Sequence, residues 1–277
     1  MNAQGRLAVV VPAWNEEGVV AGCLASVLGQ RPAIALTVVV VANGCRDATA
    51  PVARGCAPLA RRHGHELVVV ELATRGKAAA LDAGDARCPP GSHRLYLDAD
   101  VRLSSGSLDA LVAAFAGGAE LAAPRLVLDT GGAGAVLRGY WRCWAALPTV
   151  RNQVVGAGAY GVSAAGRARW GAFPDLVADD LWVRRQFAAG EGRVLDDVTF
   201  TTATPATVRG TLRMLARWRR GNAEQRGPGT SVGSALVSAR RTGGASARDL
   251  AAFVALSGAA RALAAVPRRA GAWERGR

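Results

Sequence analysis

Leu7-Ala8-Val9-Val10-Val11-Pro12-Ala13-Trp14-Asn15-Glu16-Glu17 passes from an unbroken aliphatic run straight into a polar cluster. Leu7–Val11 has no apolar–polar alternation, so it reads as a strand buried on both faces. The segment after it carries Val20, Cys23, Leu24, Val27 and Leu28 at helical spacing. The same alternation continues outward. Leu36–Val41 is a second strand, followed by a polar turn and a helix to about Arg62; Glu66–Leu72 is a third, with a helix from about Lys77 to Arg87. Leu95–Leu97 is a fourth, ending on Asp98, and Ser104 or Ser105 is expected to cap the next helix, which reaches Phe115. Strand, helix, strand at this spacing predicts an α/β fold with a mainly parallel sheet and helices on both faces.

Ligands of such sheets bind at the carboxyl ends of the strands. The chemistry is therefore expected in the clusters that follow each strand: Trp14-Asn15-Glu16-Glu17, Asn43-Gly44-Cys45-Arg46-Asp47, Thr74-Arg75-Gly76-Lys77 and Asp98-Ala99-Asp100. The later chain is less regular. Ala135–Leu147 reads as an aromatic-rich helix, Asp179-Asp180 opens a helix to about Ala189, and Arg193–Phe200 is a strand. A basic helix runs from about Pro205 to Glu224, and a Gly/Pro/Ser linker at Gly227–Ser234 leads to the tail. The expected division is residues 1–226 as the catalytic domain and 227–277 as a basic linker and tail helix.

The formal net charge of the 277 residues is +13, which first suggests phosphates, nucleic acid or anionic lipid. Of the 34 cations 33 are Arg and one is Lys77, a bias that accounts for part of the basicity. Residues 1–200 hold 20 basic and 18 acidic side chains, whereas residues 201–277 hold 14 and 3. The front of the chain is nearly neutral and the last quarter is a polycation. That tail has no nucleic-acid motif and few aromatics among its arginines, so no nucleic-acid partner is expected. Five cysteines without a CxxC pair indicate neither a zinc site nor a disulfide framework, and suggest a reducing compartment. The N-terminal apolar run contains Pro12 and meets two glutamates at once, unlike a secretory leader. Leu250–Val266 is too short, and too interrupted by Arg261, to span a bilayer. The cytoplasm, or the inner face of the plasma membrane, is the expected location.

Asp98-Ala99-Asp100 is the sharpest local signal. Alternate residues at a strand end can aim two carboxylates at one divalent ion, and Mg²⁺ is typically held by one or two carboxylates plus substrate phosphates. Alone, the tripeptide is common and reads more often as a turn capped by two solvated aspartates. Gly156-Ala157-Gly158-Ala159-Tyr160-Gly161 is literally GxGxxG, but the strand before it is at most Gln153–Val155, and Gly166 and Pro174 interrupt the segment after it. It does not fit the strand–turn–helix setting of a dinucleotide fingerprint. A flexible backbone loop is expected instead. His63, His65 and His93 fit no ligand or triad spacing, and His63 and His65 are expected on a surface turn.

Taken in order, Val9-Val10-Val11-Pro12-Ala13-Trp14-Asn15-Glu16-Glu17, Val39-Val40-Val41-Ala42-Asn43-Gly44-Cys45-Arg46-Asp47, Gly76-Lys77 leading to Ala80-Leu81-Asp82-Ala83-Gly84, and the DxD resemble the nucleotide-sugar half of family 2 glycosyltransferases. Val177-Ala178-Asp179-Asp180-Leu181 looks like that family's ED motif, and Arg217-Trp218-Arg219-Arg220-Gly221-Asn222 like its RW motif. The resemblance covers roughly residues 7 to 225. It implies a GT-A type fold, a Rossmann-like sheet with an irregular acceptor-side second half, and an inverting, metal-dependent transfer of sugar from a nucleotide-diphosphate donor.

By that resemblance Pro12, Asn15 and Glu17 line the base and ribose pocket, with Asn43 where many relatives carry Asp; Asn43 also reads as a turn residue before Gly44. Lys77 would face a donor phosphate or ribose, its alternative being a solvated helix start. Asp100 would hold Mg²⁺ or Mn²⁺, with Asp98 on the ribose or the metal. Asp180 would be the base that deprotonates an acceptor hydroxyl and Asp179 would cap or orient, unless both are helix-dipole acids. Gly156 and Gly158 would allow close approach of a ligand. Arg217 would meet the diphosphate and Trp218 the acceptor, or the pair would pack as a basic amphipathic helix. Met214 stands where processive relatives have Gln, which points to single-sugar transfer. The acceptor implied is a glycan, a lipid-linked molecule of the cell envelope or a small molecule. A nucleotidyltransferase is the related alternative, but the acidic Glu16-Glu17 turn would repel a triphosphate. A non-catalytic binder of anionic membrane, acting through Leu250–Val266 and Arg268-Arg269, is the unrelated one.

Overall fold

β1 (Leu7–Ala13), β2 (Leu36–Asn43), β3 (Glu66–Leu72) and β4 (His93–Leu97) lie in the order 3-2-1-4 and run parallel. The computed structural model describes residues 6–154, 157–176, 178–188, 190–224 and 245–266. Every residue of β1 and β2 is buried, because helices cover both faces. Alternate β1 side chains serve the two faces. Leu7, Val9 and Val11 join α1 (Val20–Leu28) in one core, with Ala53 of α2 (Thr49–Gly55) and Ala60 of α3 (Ala57–Arg62). Val10 faces α4 (Lys77–Asp85), which packs so closely that a Cβ on Gly84 would collide with its side chain.

Beyond β4 the sheet becomes mixed. β5 (Arg102–Leu103) and α5 (Ser107–Ala116) precede β6 (Leu121–Asp129); α6 (Ala135–Ala145) and α7 (Pro148–Arg151) precede β7 (Ala159–Val162); α8 (Ala164–Arg167) and α9 (Asp179–Arg184) precede β8 (Gly192–Ala203). The order from β4 is β7-β6-β8-β5, with β7 antiparallel to both β4 and β6, and β5 antiparallel to β8.

Three local expectations are corrected. Ser104 and Ser105 do not cap α5: its N-cap is Gly106, and the Ser104 hydroxyl instead accepts from Thr199 N–H of β8 at 2.8 Å. The helix opened by Asp179 stops at Arg184, where Gln186 N and Phe187 N close tighter three-residue turns onto Val183 O and Arg184 O. His65 is buried, with Nδ1 accepting from Leu36 N–H at 3.4 Å and Nε2 lying 3.1 Å from Gln30 O.

Contacts divide the chain into two units. The first, Met1–Val127, Val154–Asp175 and Val183–Thr202, contains the sheet core. The second, Leu128–Gln153, Leu176–Trp182 and Ala203–Arg277, is built on α6, α10 (Val208–Glu224) and α11 (Ala247–Ala265). Its core joins Leu137, Tyr140 and Trp141 to Leu215, Phe253, Leu256 and Ala260. A reciprocal capping box starts α11: Ser246 Oγ accepts from Asp249 N–H at 3.2 Å, and Ser246 N–H donates to Asp249 Oδ2 at 2.9 Å. The linker expected at Gly227–Ser234 lies outside the described residues. Among the described residues no helix is long and apolar enough to cross a membrane.

Candidate active site

Pairing of β1 with β4 ends at Val10–Tyr96, whereas pairing of β1 with β2 continues to Ala13. Pro12, which lacks an N–H, sits buried where the β4 ladder has already stopped. This is also where the strand order reverses, since β2 and β3 lie to one side of β1 and β4 to the other. A crevice at the carboxyl end of such a switch point is the usual ligand site of an open parallel sheet.

Two loops at this edge are laced together by side chains bonding across to backbone. Asn15 takes a left-handed conformation (φ 52°) and its Oδ1 accepts from Arg46 N–H at 2.7 Å. Its own N–H points at Cys45 Sγ, 3.3 Å away. Glu17 Oε2 accepts from Ala48 N–H at 2.8 Å, and Asp47 Oδ2 accepts in return from Glu17 N–H at 3.2 Å. Asp47 Oδ1 also accepts from Thr49, and these bonds hold its carboxyl below the ordinary range against the opposing effect of partial burial. Asn43 closes the back of the edge: Nδ2 donates to Ala13 O at 2.9 Å and Oδ1 accepts from Gly76 N–H at 3.0 Å.

The Asp98 turn completes the edge. Asp98 N–H donates to Gly158 O at 2.7 Å, and Lys77 Nζ lies 3.1 Å from Asp98 Oδ1. Asp100 lies two residues on, partly exposed like Asp98. Beneath them Cys23 Sγ contacts Asp98 O at 3.6 Å. Burial first, then the charges of Asp100 and Asp98, push that thiol far above its usual range, so it stays protonated. Among the described residues no cluster of three or more His, Cys, Asp or Glu could enclose a metal unaided. Two half-exposed carboxylates do fit a Mg²⁺ or Mn²⁺ ion whose remaining positions are filled by phosphate oxygens and water.

Asp179, Asp180, Arg217 and Trp218 belong to the second unit. Asp179 is 3% exposed and Asp180 half-buried, both in the first turn of α9. Arg217 and Trp218 are half-buried on α10, and the Trp218 ring lies 5.5 Å from Trp144 and 6.2 Å from Trp141. Gly156 and Val177 lie outside the described residues.

The model of the family described as glycosyl transferase family 2 matches residues 8–167, more than half of the chain. The chain belongs to glycosyl transferase family 2. Solved structures agree on the fold. The mannosyltransferase PcManGT from Pyrobaculum calidifontis, in complex with GDP-Man and Mn²⁺, superposes with a TM-score of 0.59 at 21% identity, covering 95% of this chain and 76% of that one. Residues 1–349 of S. aureus TarS give a TM-score of 0.54 at 16% identity, covering 91% of this chain and 71% of that one. The same form in complex with UDP-GlcNAc gives 0.54 at 17%, covering 76% and 64%. Against the longer TarS chain this protein spans 39% of the length. No match was found among curated proteins.

This member of the family therefore has a GT-A type sheet. Two glycines of the GxGxxG run, Gly158 and Gly161, sit against neighbouring side chains. A Cβ at Gly158 would stand 2.6 Å from Val101 Cγ2, and one at Gly161 would stand 3.0 Å from both Leu111 and Phe115. Three residues at the edge went unassigned by sequence reasoning. Arg75 lies over the Trp14 ring at 3.9 Å, and Cys45 joins Asn43 in donating to Ala13 O, at 3.5 Å. The adjacency of Trp14 and Arg75 to their strand ends was the signal available.

Proposed function

We propose that the chain moves one sugar from a nucleotide-diphosphate sugar to an acceptor hydroxyl, inverting the anomeric centre, with Mg²⁺ or Mn²⁺ as cofactor. The observation that carries this reading is the meeting of Lys77 and the Asp98-Ala99-Asp100 turn at the carboxyl edge of the parallel sheet. Asp100 is the main metal ligand and Asp98 a ribose or second metal contact. When bound there, a divalent cation supplies Lewis-acid stabilisation of the charge developing on the departing nucleoside diphosphate. Lys77 donates to a phosphate or ribose oxygen. Pro12, Asn15 and Glu17 line the base side, where the Trp14–Arg75 stack adds a flat, cationic wall.

Asp180 takes the proton of the acceptor hydroxyl. The freed oxygen attacks the anomeric carbon, the bond from that carbon to the β-phosphate oxygen breaks, and its electron pair leaves with the nucleoside diphosphate. Greater exposure favours Asp180 over Asp179 as this base, and the buried Asp179 suits an orienting role. Gly156 and Gly158 supply a backbone loop facing donor or acceptor, Arg217 meets the diphosphate, Trp218 meets the acceptor, and Met214 in place of Gln supports a single transfer.

PcManGT with GDP-Man and TarS with UDP-GlcNAc support a nucleotide-sugar donor but differ in the base. A thermal-shift screen of UDP-, GDP- and dTDP-sugars with Mn²⁺ decides it. Stabilisation by one set identifies the base, and silence from all of them defeats the donor reading.

A membrane-linked acceptor, reached from the cytoplasmic face of the plasma membrane, is favoured by α11. Val254, Leu263 and Val266 stand exposed on this helix and its end, and its only exposed charges are Arg248 and Arg261. Apolar helices with basic flanks lie in anionic interfaces. Flotation with anionic vesicles should be lost in Val254→Asp/Leu263→Asp; equal flotation of variant and parent removes the idea.

A further inference from the structure

We propose that Asn43 is a positioning residue: its carboxamide couples the base-side loop to the Lys77 side of the donor site through backbone, without touching the nucleotide. The proposal rests on the donor site above. Asn43 ends β2, is 4% exposed, and lies between the end of β1 and the start of α4. The two ends of its amide do opposite work. The NH₂ donates to Ala13 O, immediately before Trp14 and the left-handed Asn15. The carbonyl accepts from Gly76 N–H, immediately before Lys77, whose ammonium reaches Asp98. One planar group thus fixes the exit of β1 and the entry of α4, and through them the residues proposed for base and phosphate.

The two partners call for one donor and one acceptor, which an amide supplies at any pH. Ala13 O is an acceptor and already takes a second, weaker donor from Cys45. An ionised carboxylate at position 43 would oppose one acceptor with another and leave Ala13 O short of a donor, while still serving Gly76 N–H. A protonated carboxylic acid reproduces both bonds, because its O–H donates and its carbonyl accepts. Asn43→Asp is therefore a switchable version of the native residue. A leucine, similar in size, makes neither bond at any pH.

The test uses the full chain. Binding of UDP and GDP with Mn²⁺ is measured by calorimetry between pH 5.5 and 8.5, each variant being read as a ratio to the parent at the same pH. Asn43→Leu is expected to bind about tenfold more weakly throughout, and Asn43→Asp to share that deficit at pH 8.5, where its carboxyl is ionised. Both variants should prefer the same nucleotide as the parent. Amide exchange at Gly76, corrected for intrinsic pH dependence, should be faster in Asn43→Leu than in the parent. Parental binding by Asn43→Leu, unchanged exchange at Gly76, or a changed nucleotide preference would each overturn the proposal, the last because the amide would then be reading the base. If the parent itself binds neither nucleotide, the donor-site reading fails, and the Gly76 exchange ratio still decides whether the amide couples the two loops.

Discussion

Lys77 Nζ lies 3.1 Å from Asp98 Oδ1, so the only lysine of the chain is paired with the first carboxylate of the DxD turn. Asp98 shares its charge with an ammonium, and in the function proposed above Asp100 is the main metal ligand. Asp100→Ala should lower sugar transfer and donor hydrolysis by at least about 100-fold in saturating Mn²⁺, since a metal contributes several kcal/mol to the transition state. Lys77→Met should weaken nucleoside diphosphate binding about tenfold, the worth of one hydrogen bond to a charged group, and leave the metal requirement intact. Full activity in Asp100→Ala would remove the metal assignment.

Gly158 holds the Asp98 turn from the other side. Its φ is +103°, and a Cβ added to it would stand only 2.6 Å from Val101 Cγ2, so there is no room for alanine. Gly158→Ala should cost about 1–3 kcal/mol from backbone strain alone, with the collision adding to it. Because Gly158 O receives Asp98 N–H, Mn²⁺ affinity should fall together with the melting temperature. A variant that melts and binds metal like the parent would show that the turn can relax.

Asp85, the last residue of α4, is a largely buried anion beside β4. It accepts from Arg94 Nε at 3.0 Å, Arg167 Nε at 2.7 Å and the Tyr96 hydroxyl at 2.9 Å. Arg167 in turn donates to Trp170 O and Gly171 O, tying the segment after α8 to α4. Burial first, then the Asp85 charge, drives the Tyr96 phenol well above its usual range. Asp85→Asn leaves two largely buried arginines without their counter-charge, for which the expected loss is about 3–5 kcal/mol. Urea denaturation measures it, and a loss within experimental scatter would show that water reaches the pair.

The parallel half of the sheet was legible because strands buried on both faces are written as unbroken aliphatic runs, as in β1 and β2. β6 was not, since Ala122-Ala123-Pro124 has neither β-branching nor alternation. That the polar clusters share one edge followed from the strand ends alone. What joins its residues did not: the bonds from Asn43 to Ala13 and Gly76, and from Glu17 to Ala48, span about 30 positions and depend on rotamers that no spacing encodes. His65 was misplaced for the same reason, because its two ring nitrogens find Leu36 and Gln30 through the fold rather than along the chain.

His93 gives the protein a pH dependence of known sign. Its ring lies 4.8 Å from Phe115, and its Nδ1 accepts from Ala164 N–H at 3.0 Å, which requires that nitrogen to be unprotonated. Burial, then the neighbouring Arg94 charge, lowers its pKa from the ordinary 6.5. Below pH 6.5 the unfolded chain takes up a proton that the folded chain refuses, so this residue's contribution falls as pH drops from 6.5 to the depressed folded value, and is flat above. Urea midpoints of the parent should decline between pH 7.5 and pH 5.5. In His93→Asn, whose Oδ1 can accept from Ala164 N–H without titrating, the decline should be smaller. Reading the difference between the two proteins cancels other groups that titrate in the window, including His63, whose pKa is also lowered. Parallel declines would mean that His93 is protonated without cost, and that the Ala164 bond contributes nothing to the fold.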